Sequence, residues 1–244
     1  MTMKQEEIAA LRARGALIQK SKEHFILRLR VTGGHAPATL LRAAANLAER
    51  FGDGTVHLST RQAIELHNIP ADAVPDALAC AMELGLESAG SGNTVRTIVA
   101  CPGHPVCRFS LGDTQELARQ IHAKYQDYQG LPTKLKIAVT GCPNSCAKPQ
   151  TNDIGIMAKG RTGYDIFVGG CVGRRPRWAI PLETPAPDAD AVLRCIGATL
   201  DWLVRHGQPR ERLAAVLERL GPQGLIDATA RALAPASAHG GAAV

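Results

Sequence analysis

The chain is 244 residues long, 45% hydrophobic, 20% charged and only 4% aromatic. That balance suits a folded chain of one or two domains with room for a real core, and excludes a disordered polymer, a collagen-like fibre and a small disulfide-stapled domain. The formal net charge of +6 favours anionic partners, although aromatic residues are too scarce to build the stacking platform of a nucleic-acid binder.

Residues 4–14 read as a short helix, with Ile8, Leu11 and Leu17 on one face. From His24 to Thr32 the chain alternates with period two, so Leu27, Leu29 and Val31 face one way and Arg28 and Arg30 the other. Gly33-Gly34 ends this strand, and an Ala/Leu-rich helix follows from about Pro37 to Phe51. Thr55–Ser59 and Ala63–Asn68 read as strands, and a helix from about Ala71 to Leu84 completes a β-α-β-β-α run. The order predicts an α+β fold whose N-terminal domain, residues 1–90, is a ferredoxin-like βαββα unit on an antiparallel sheet. Residues 90–93 (GSGN) read as a flexible joint.

The second unit, residues 91–234, is expected to be mixed α+β. Strands are predicted at Val95–Ala100, Leu135–Thr140, Asp153–Ala158 and Tyr164–Gly169. Helices are predicted at 113–128, 188–206, 209–219 and 222–233, the first opened by an Asp113/Glu116 capping box. The Ala/Gly/Ser-rich tail 235–244 reads as disordered. No stretch of about 18 uncharged apolar residues is present, so no membrane span is expected. The N-terminus lacks the apolar run of a signal peptide, which predicts a cytoplasmic protein.

Seven cysteines are too few, and odd in number, for a disulfide framework. Four lie in two short segments, Cys101-Pro-Gly-His-Pro-Val-Cys107 and Cys142-Pro-Asn-Ser-Cys146, each directly after a predicted strand. Four thiolates on neighbouring strand-end loops point to a metal or cluster. The C-x5-C spacing falls outside the usual zinc pairing and the ferredoxin C-x2-C-x2-C-x3-C run is absent. A [4Fe–4S] cluster fits best, with zinc as the alternative. Cys80 and Cys195 lie on apolar helix faces and read as core thiols; Cys171 reads as packing, with its place near the cluster half left open. His104 reads as a loop residue between two cluster cysteines.

The two cysteine segments, with Thr140-Gly141 before the second, resemble the sirohaem and [4Fe–4S] signature of the sulfite and nitrite reductase family. Ser59-Thr-Arg61-Gln62, Asn93-Thr-Val-Arg96 and Lys134-Leu-Lys136 resemble three further segments of that family, in order, over roughly residues 20–180. The resemblance implies that Cys101, Cys107, Cys142 and Cys146 hold the cluster, Cys146 being shared with the sirohaem iron. It also implies that Arg61, Arg96, Lys134 and Lys136 line the substrate side, where fixed cations hold an oxyanion and supply protons. Arg28 and Arg30, and Arg174, Arg175 and Arg177, are candidates for the carboxylates of sirohaem. Solvated strand faces and an exposed charge run are the plain alternatives for these positions.

The implied activity is the six-electron reduction of sulfite to sulfide, with nitrite to ammonia as runner-up. An Fe–S electron carrier or tetrapyrrole-binding protein without catalysis is the rival class. No flavin domain or dinucleotide fingerprint is present, so a separate donor is expected, a ferredoxin or another small redox protein. Large family members repeat the α+β unit and draw the cations from one half and the cysteines from the other. A single unit carrying both sets implies either a homodimer with shared sites or an internal meeting of the two sets.

Overall fold

The computed structural model describes residues 4–160 and 163–234, so the tail 235–244 lies outside the described residues. In the first unit α1 (Gln5–Ala13) leads into β1 (Ala16–Ile18), β2 (His24–Leu29), α2 (Ala38–Phe51), β3 (Val56–Leu58), β4 (Ile64–Pro70) and α3 (Val74–Glu83). The strands form one antiparallel sheet in the order β1-β2-β4-β3. Alternation along β2 buries Phe25, Leu27 and Leu29 against Leu47 of α2 and Leu66 and Ile69 of β4. Arg28 and Arg30 are left on the open face.

One expectation fails here. Leu17 is not on the α1 face but in β1, paired with Ile26. Gly15, at φ +95°, stops the helix two residues earlier and turns the chain into the strand.

The second unit contains β5 (Val99–Ala100), α4 (Thr114–Tyr125), β6 (Ile137–Thr140), β7 (Ile154–Lys159), β8 (Gly163–Val168), β9 (Ile180–Pro181), α5 (Ala189–His206), α6 (Leu213–Leu220) and α7 (Gln223–Leu233). The sheet order is β5-β6-β7-β8-β9, parallel from β5 to β7 and antiparallel beyond. Its core packs Ile137, Ile154 and Ile166 against Leu117 and Ile121 of α4 and Ile196 and Leu200 of α5. Asp113 caps α4 by accepting from the Gln115 and Glu116 amides (3.1 and 2.9 Å). Glu116 does not complete the expected box, because its carboxylate pairs with Arg119 and Gln120 instead.

The expected strand 95–100 is interrupted. Val95 bridges Leu135 and regular pairing resumes only at Val99, while the Ile98 carbonyl turns to accept the Gly33 amide of the first unit (2.9 Å). The joint at 90–93 is likewise pinned rather than free. Arg96 donates to the Gly90 and Gly92 carbonyls (2.8 and 3.1 Å), and Arg12 to the Ser91 hydroxyl (2.7 Å).

Candidate functional site

Both cysteine pairs leave the sheet at the same end. Ala100 of β5 pairs in parallel with Val139 of β6, so Cys101 and Cys142 follow on adjacent strand ends. The Cys101 amide donates to the Val139 carbonyl (3.2 Å) and Leu111 N–H to the Gly141 carbonyl (2.7 Å), folding the first loop onto the second. The Gly141 amide donates to the Cys101 sulfur at 3.2 Å. A Cβ at Gly141 would stand 2.0 Å from the Ser110 hydroxyl oxygen, so a larger residue would displace that hydroxyl from its bond to the Gly112 carbonyl. Cys142 is buried, Cys101 and Cys107 are half-buried, and Cys146 is exposed.

Residues remote in sequence hold the first thiol in place. The Gln62 side chain pairs with both backbone groups of Ala100, donating at 2.8 Å and accepting at 2.9 Å. Gln115 donates to the Cys101 carbonyl (2.9 Å) and to the Gly33 carbonyl (3.0 Å). Four soft thiolates on two touching loops, with an amide already aimed at one sulfur, fit an iron–sulfur cluster. Among the described residues no three His, Cys, Asp or Glu side chains are close enough to grip one metal ion. A cubane asks for something different, since each cysteine there binds its own iron.

The cations gather at the other end of the same strands. Lys134 and Lys136 flank Leu135, which is buried in the core, so both ammonium groups face away from it. Together with Arg12, Arg28, Arg61 and Arg96 they line a cleft of about 570 Å³. Arg61 reaches in from the turn between β3 and β4, donating to Asn152 Oδ1 (2.9 Å) and to the Thr97 and Ile137 carbonyls (2.8 and 3.0 Å). Its buried Nε has no partner. A guanidinium carries five donors, so two of them, Nε–H and one on Nη1, remain for a ligand.

Burial and mutual repulsion set the charge states. Burial pulls Arg61 and Arg96 each down to about 10, opposed at Arg61 by Asp153 and reinforced at Arg96 by Arg28 and Arg12. Lys136 is lowered by burial and by Arg61, Arg212 and Lys134; Lys134 by burial, Arg212 and Arg96. Arg212, at the start of α6, grips Asp153 at 3.1 and 2.6 Å, and the same carboxylate accepts the Lys136 amide at 2.7 Å. Arg12, Asn152, Asp153 and Arg212 escape sequence reasoning, because none carries a local pattern and their partners lie up to 91 positions away.

The remaining predicted positions divide. Arg28 borders the cleft and pairs with Glu65 (2.7 Å); Arg30 borders an adjoining cavity and pairs with Glu87 (2.8 Å). Arg174 and Arg175 are exposed, while Arg177 forms a salt bridge with Glu218. Their loop lies against the crossover after Cys146, where Ala179 N–H donates to the Gln150 carbonyl (2.8 Å). Cys195 is fully buried among core side chains, which push its thiol up to about 12, and Cys80 is half-buried on α3. Cys171 is buried, its thiol donating to the Arg175 carbonyl (3.4 Å). Among the described residues no helix is long and apolar enough to cross a membrane.

Two family models match the chain. Residues 91–234 match the family model described as nitrite and sulphite reductase 4Fe-4S domain, and residues 17–83 the nitrite/sulfite reductase ferredoxin-like half domain. The chain is 34% identical to the coenzyme F420-dependent sulfite reductase of Methanocaldococcus jannaschii, over 85% of this chain and 42% of the relative. It is 38% identical to the ferredoxin–nitrite reductase of Synechococcus elongatus, over 64% of this chain and 31% of the relative. It is 33% identical to a component of the anaerobic sulfite reductase of Salmonella typhimurium, over 64% of this chain and 50% of the relative. The chain thus spans half or less of the length of these curated relatives. In fold it is similar to the NirA protein of Mycobacterium tuberculosis, with a TM-score of 0.80 at 20% identity over 95% of this chain and 46% of the other. A dissimilatory sulfite reductase gives a TM-score of 0.76 at 18% identity, over 91% and 73%.

Proposed function

This chain belongs to the nitrite and sulfite reductase family, and from that premise we propose that it reduces sulfite to sulfide with six electrons from a separate donor. The cofactors of the family are a [4Fe–4S] cluster and sirohaem; when bound they supply an electron relay and an iron with an open position for the anion. Cys101, Cys107, Cys142 and Cys146 would hold the cluster, and the exposure of Cys146 leaves its sulfur reachable by a second group. Arg28 and Arg30 would meet carboxylates of the tetrapyrrole, with Arg174 and Arg175 beside the Cys146 loop. Arg177, paired with Glu218, is the weakest of that set.

The observation that carries this reading is the cleft that gathers Arg61, Arg96, Lys134 and Lys136. Like charges held together by the fold form a preorganised site for a small oxyanion, whose binding relieves their repulsion. Arg61 offers its uncommitted N–H groups to the anion's oxygens. Each oxygen that leaves as water needs protons, and the ammonium groups of Lys134 and Lys136 hold them. Burial and neighbouring cations make those ammoniums stronger acids than free lysine, which suits proton donation.

The cations precede β5 and β6 and the cysteines follow them, so the two sets stand at opposite ends of one pair of parallel strands. That separation supports a homodimer in which the cations of one protomer serve the cysteines of the other. We divide the chain into a ferredoxin-like domain to residue 90 and a cofactor domain over 91–234, and assign the protein to the cytoplasm. Relatives named as ferredoxin-dependent or F420-dependent support a small external carrier as donor, and the net charge of +6 suits an acidic one.

Nitrite reduction to ammonia is the second reading, favoured by the nitrite reductases among the relatives. Anaerobically purified protein tests both. The visible spectrum, iron and acid-labile sulfide contents should report the two cofactors, and kcat/KM should be higher for sulfite than for nitrite. Loaded protein that turns over neither anion would refute the enzyme reading and leave an electron carrier.

A further inference from the structure

Lys136 sits on a backbone gripped from both sides. Its carbonyl accepts the Ile154 amide (3.1 Å) as ordinary strand pairing. Its amide, one position short of β6, has no carbonyl opposite and is taken instead by Asp153 Oδ2 at 2.7 Å. Asp153 is 1% exposed, and a carboxylate so buried is costly unless a cation accompanies it. Arg212 accompanies it through two bonds, Nε to Oδ1 and Nη2 to Oδ2 (3.1 and 2.6 Å). The Arg210 amide donates to the Pro132 carbonyl (2.8 Å), so the segment before α6 lies along the stretch that carries both lysines.

The charges around Lys136 are otherwise of one sign. Arg61 reaches it from the β3–β4 turn, Lys134 stands on its own strand, and Arg12, Arg28 and Arg96 line the same cleft. No acidic side chain lines the cleft among the described residues. Asp153, behind the strand, is the one acid acting on the lysine, and it pulls in the direction opposite to the cations.

We propose that the Arg212–Asp153 pair is the positioning device for Lys136, in which Asp153 fixes the lysine's backbone and Arg212 cancels the carboxylate's charge. The ammonium then faces an environment that remains cationic, and the cleft keeps its attraction for an anion. Asp153 alone would hold the position but would clamp the proton on Lys136. Arg212 makes the same anchor electrically neutral. This inference rests on the reading of Lys136 as a residue of the anion site.

Competitive acetylation of the full chain across a pH series, read by mass spectrometry, gives the labelling midpoint of Lys136 independently of turnover, with Lys159 as a remote reference. Burial raises the Asp153 carboxyl, but at the alkaline pH where a lysine titrates it is still ionised in R212M, and its uncompensated charge should move the Lys136 midpoint up by about 1 pH unit. D153N retains an oxygen for the Lys136 amide but leaves Arg212 uncompensated, and should move the midpoint down by a similar amount. The double variant should return near the wild-type midpoint. R212K keeps the charge and should stay close to wild type, which preserves the test where R212M does not fold. Shifts of the same sign in R212M and D153N, or none in either, would overturn the proposal. The expected pattern in a protein whose turnover survives K136A would instead overturn the reading of Lys136 and leave the pair's electrostatics standing.

Discussion

Arg61 joins the two units as well as lining the cleft, and its replacement separates these roles. In R61M the Asn152 side-chain oxygen and the Thr97 and Ile137 carbonyls each lose a charged donor. At about 1.5 kcal/mol per charged hydrogen bond, the loss is roughly 4–5 kcal/mol. The variant also avoids burying a guanidinium. The fall from 12.5 to about 10 corresponds to roughly 3 kcal/mol against the charged form. The net destabilisation should therefore be only about 1–2 kcal/mol. Urea unfolding of wild type, R61M and R61K, followed by circular dichroism, measures it. Turnover should respond differently, falling by about 10²–10³ as for loss of one fixed donor to developing charge. A stability loss well above 4 kcal/mol would show that the burial cost is misjudged. Unchanged turnover in R61M would refute the placing of Arg61 against substrate.

Four further outcomes follow from the same geometry. If cations and cysteines act across a dimer interface, inactive K136A and C146S chains mixed and reassembled should recover about a quarter of wild-type activity; no recovery, with mixed dimers present, would point to sites complete within one chain. C146S alone should lose cluster and haem absorbance together. Q62A removes both bonds to Ala100 and should speed cluster loss to an iron chelator, followed by absorbance, while leaving secondary structure intact. Glu87 is pushed up by burial, but the His122 hydrogen bond and Arg30 outweigh this and set its pKa below the ordinary 4.5. Its folded value thus lies under its unfolded one, so its contribution is present above the ordinary glutamate range and is lost as pH falls through the folded value. The melting temperature should drop less steeply with acidification in E87Q than in wild type, and parallel curves would contradict the assignment.

Local pattern made much of this molecule legible. Period-two alternation marked β2 and β4, and Gly and Pro marked the strand-end cysteine loops, because turns and buried faces are imposed within a few residues. Lys134 and Lys136 were legible for the same reason, as Leu135 between them had to face the core. The edge strands β1 and β9 were not, although β3, as short as β1, was read within Thr55–Ser59. β1 and β9 hold three and two residues, and β1 took Leu17 from the helix to which spacing assigned it.

The sequence by itself determined that four thiols would lie on two strand-end loops and that two lysines would share a face, since chain direction and side-chain alternation are local consequences of covalent geometry. Only the tertiary structure decided that cations and cysteines stand at opposite ends of β5 and β6, that Gln62 braces the residue before Cys101, and that Arg212 neutralises Asp153 behind Lys136. Arg212 and Asp153 are 59 positions apart. No local periodicity links them, and they meet because the packing of α5 against the sheet returns the chain to the strand that carries the lysines.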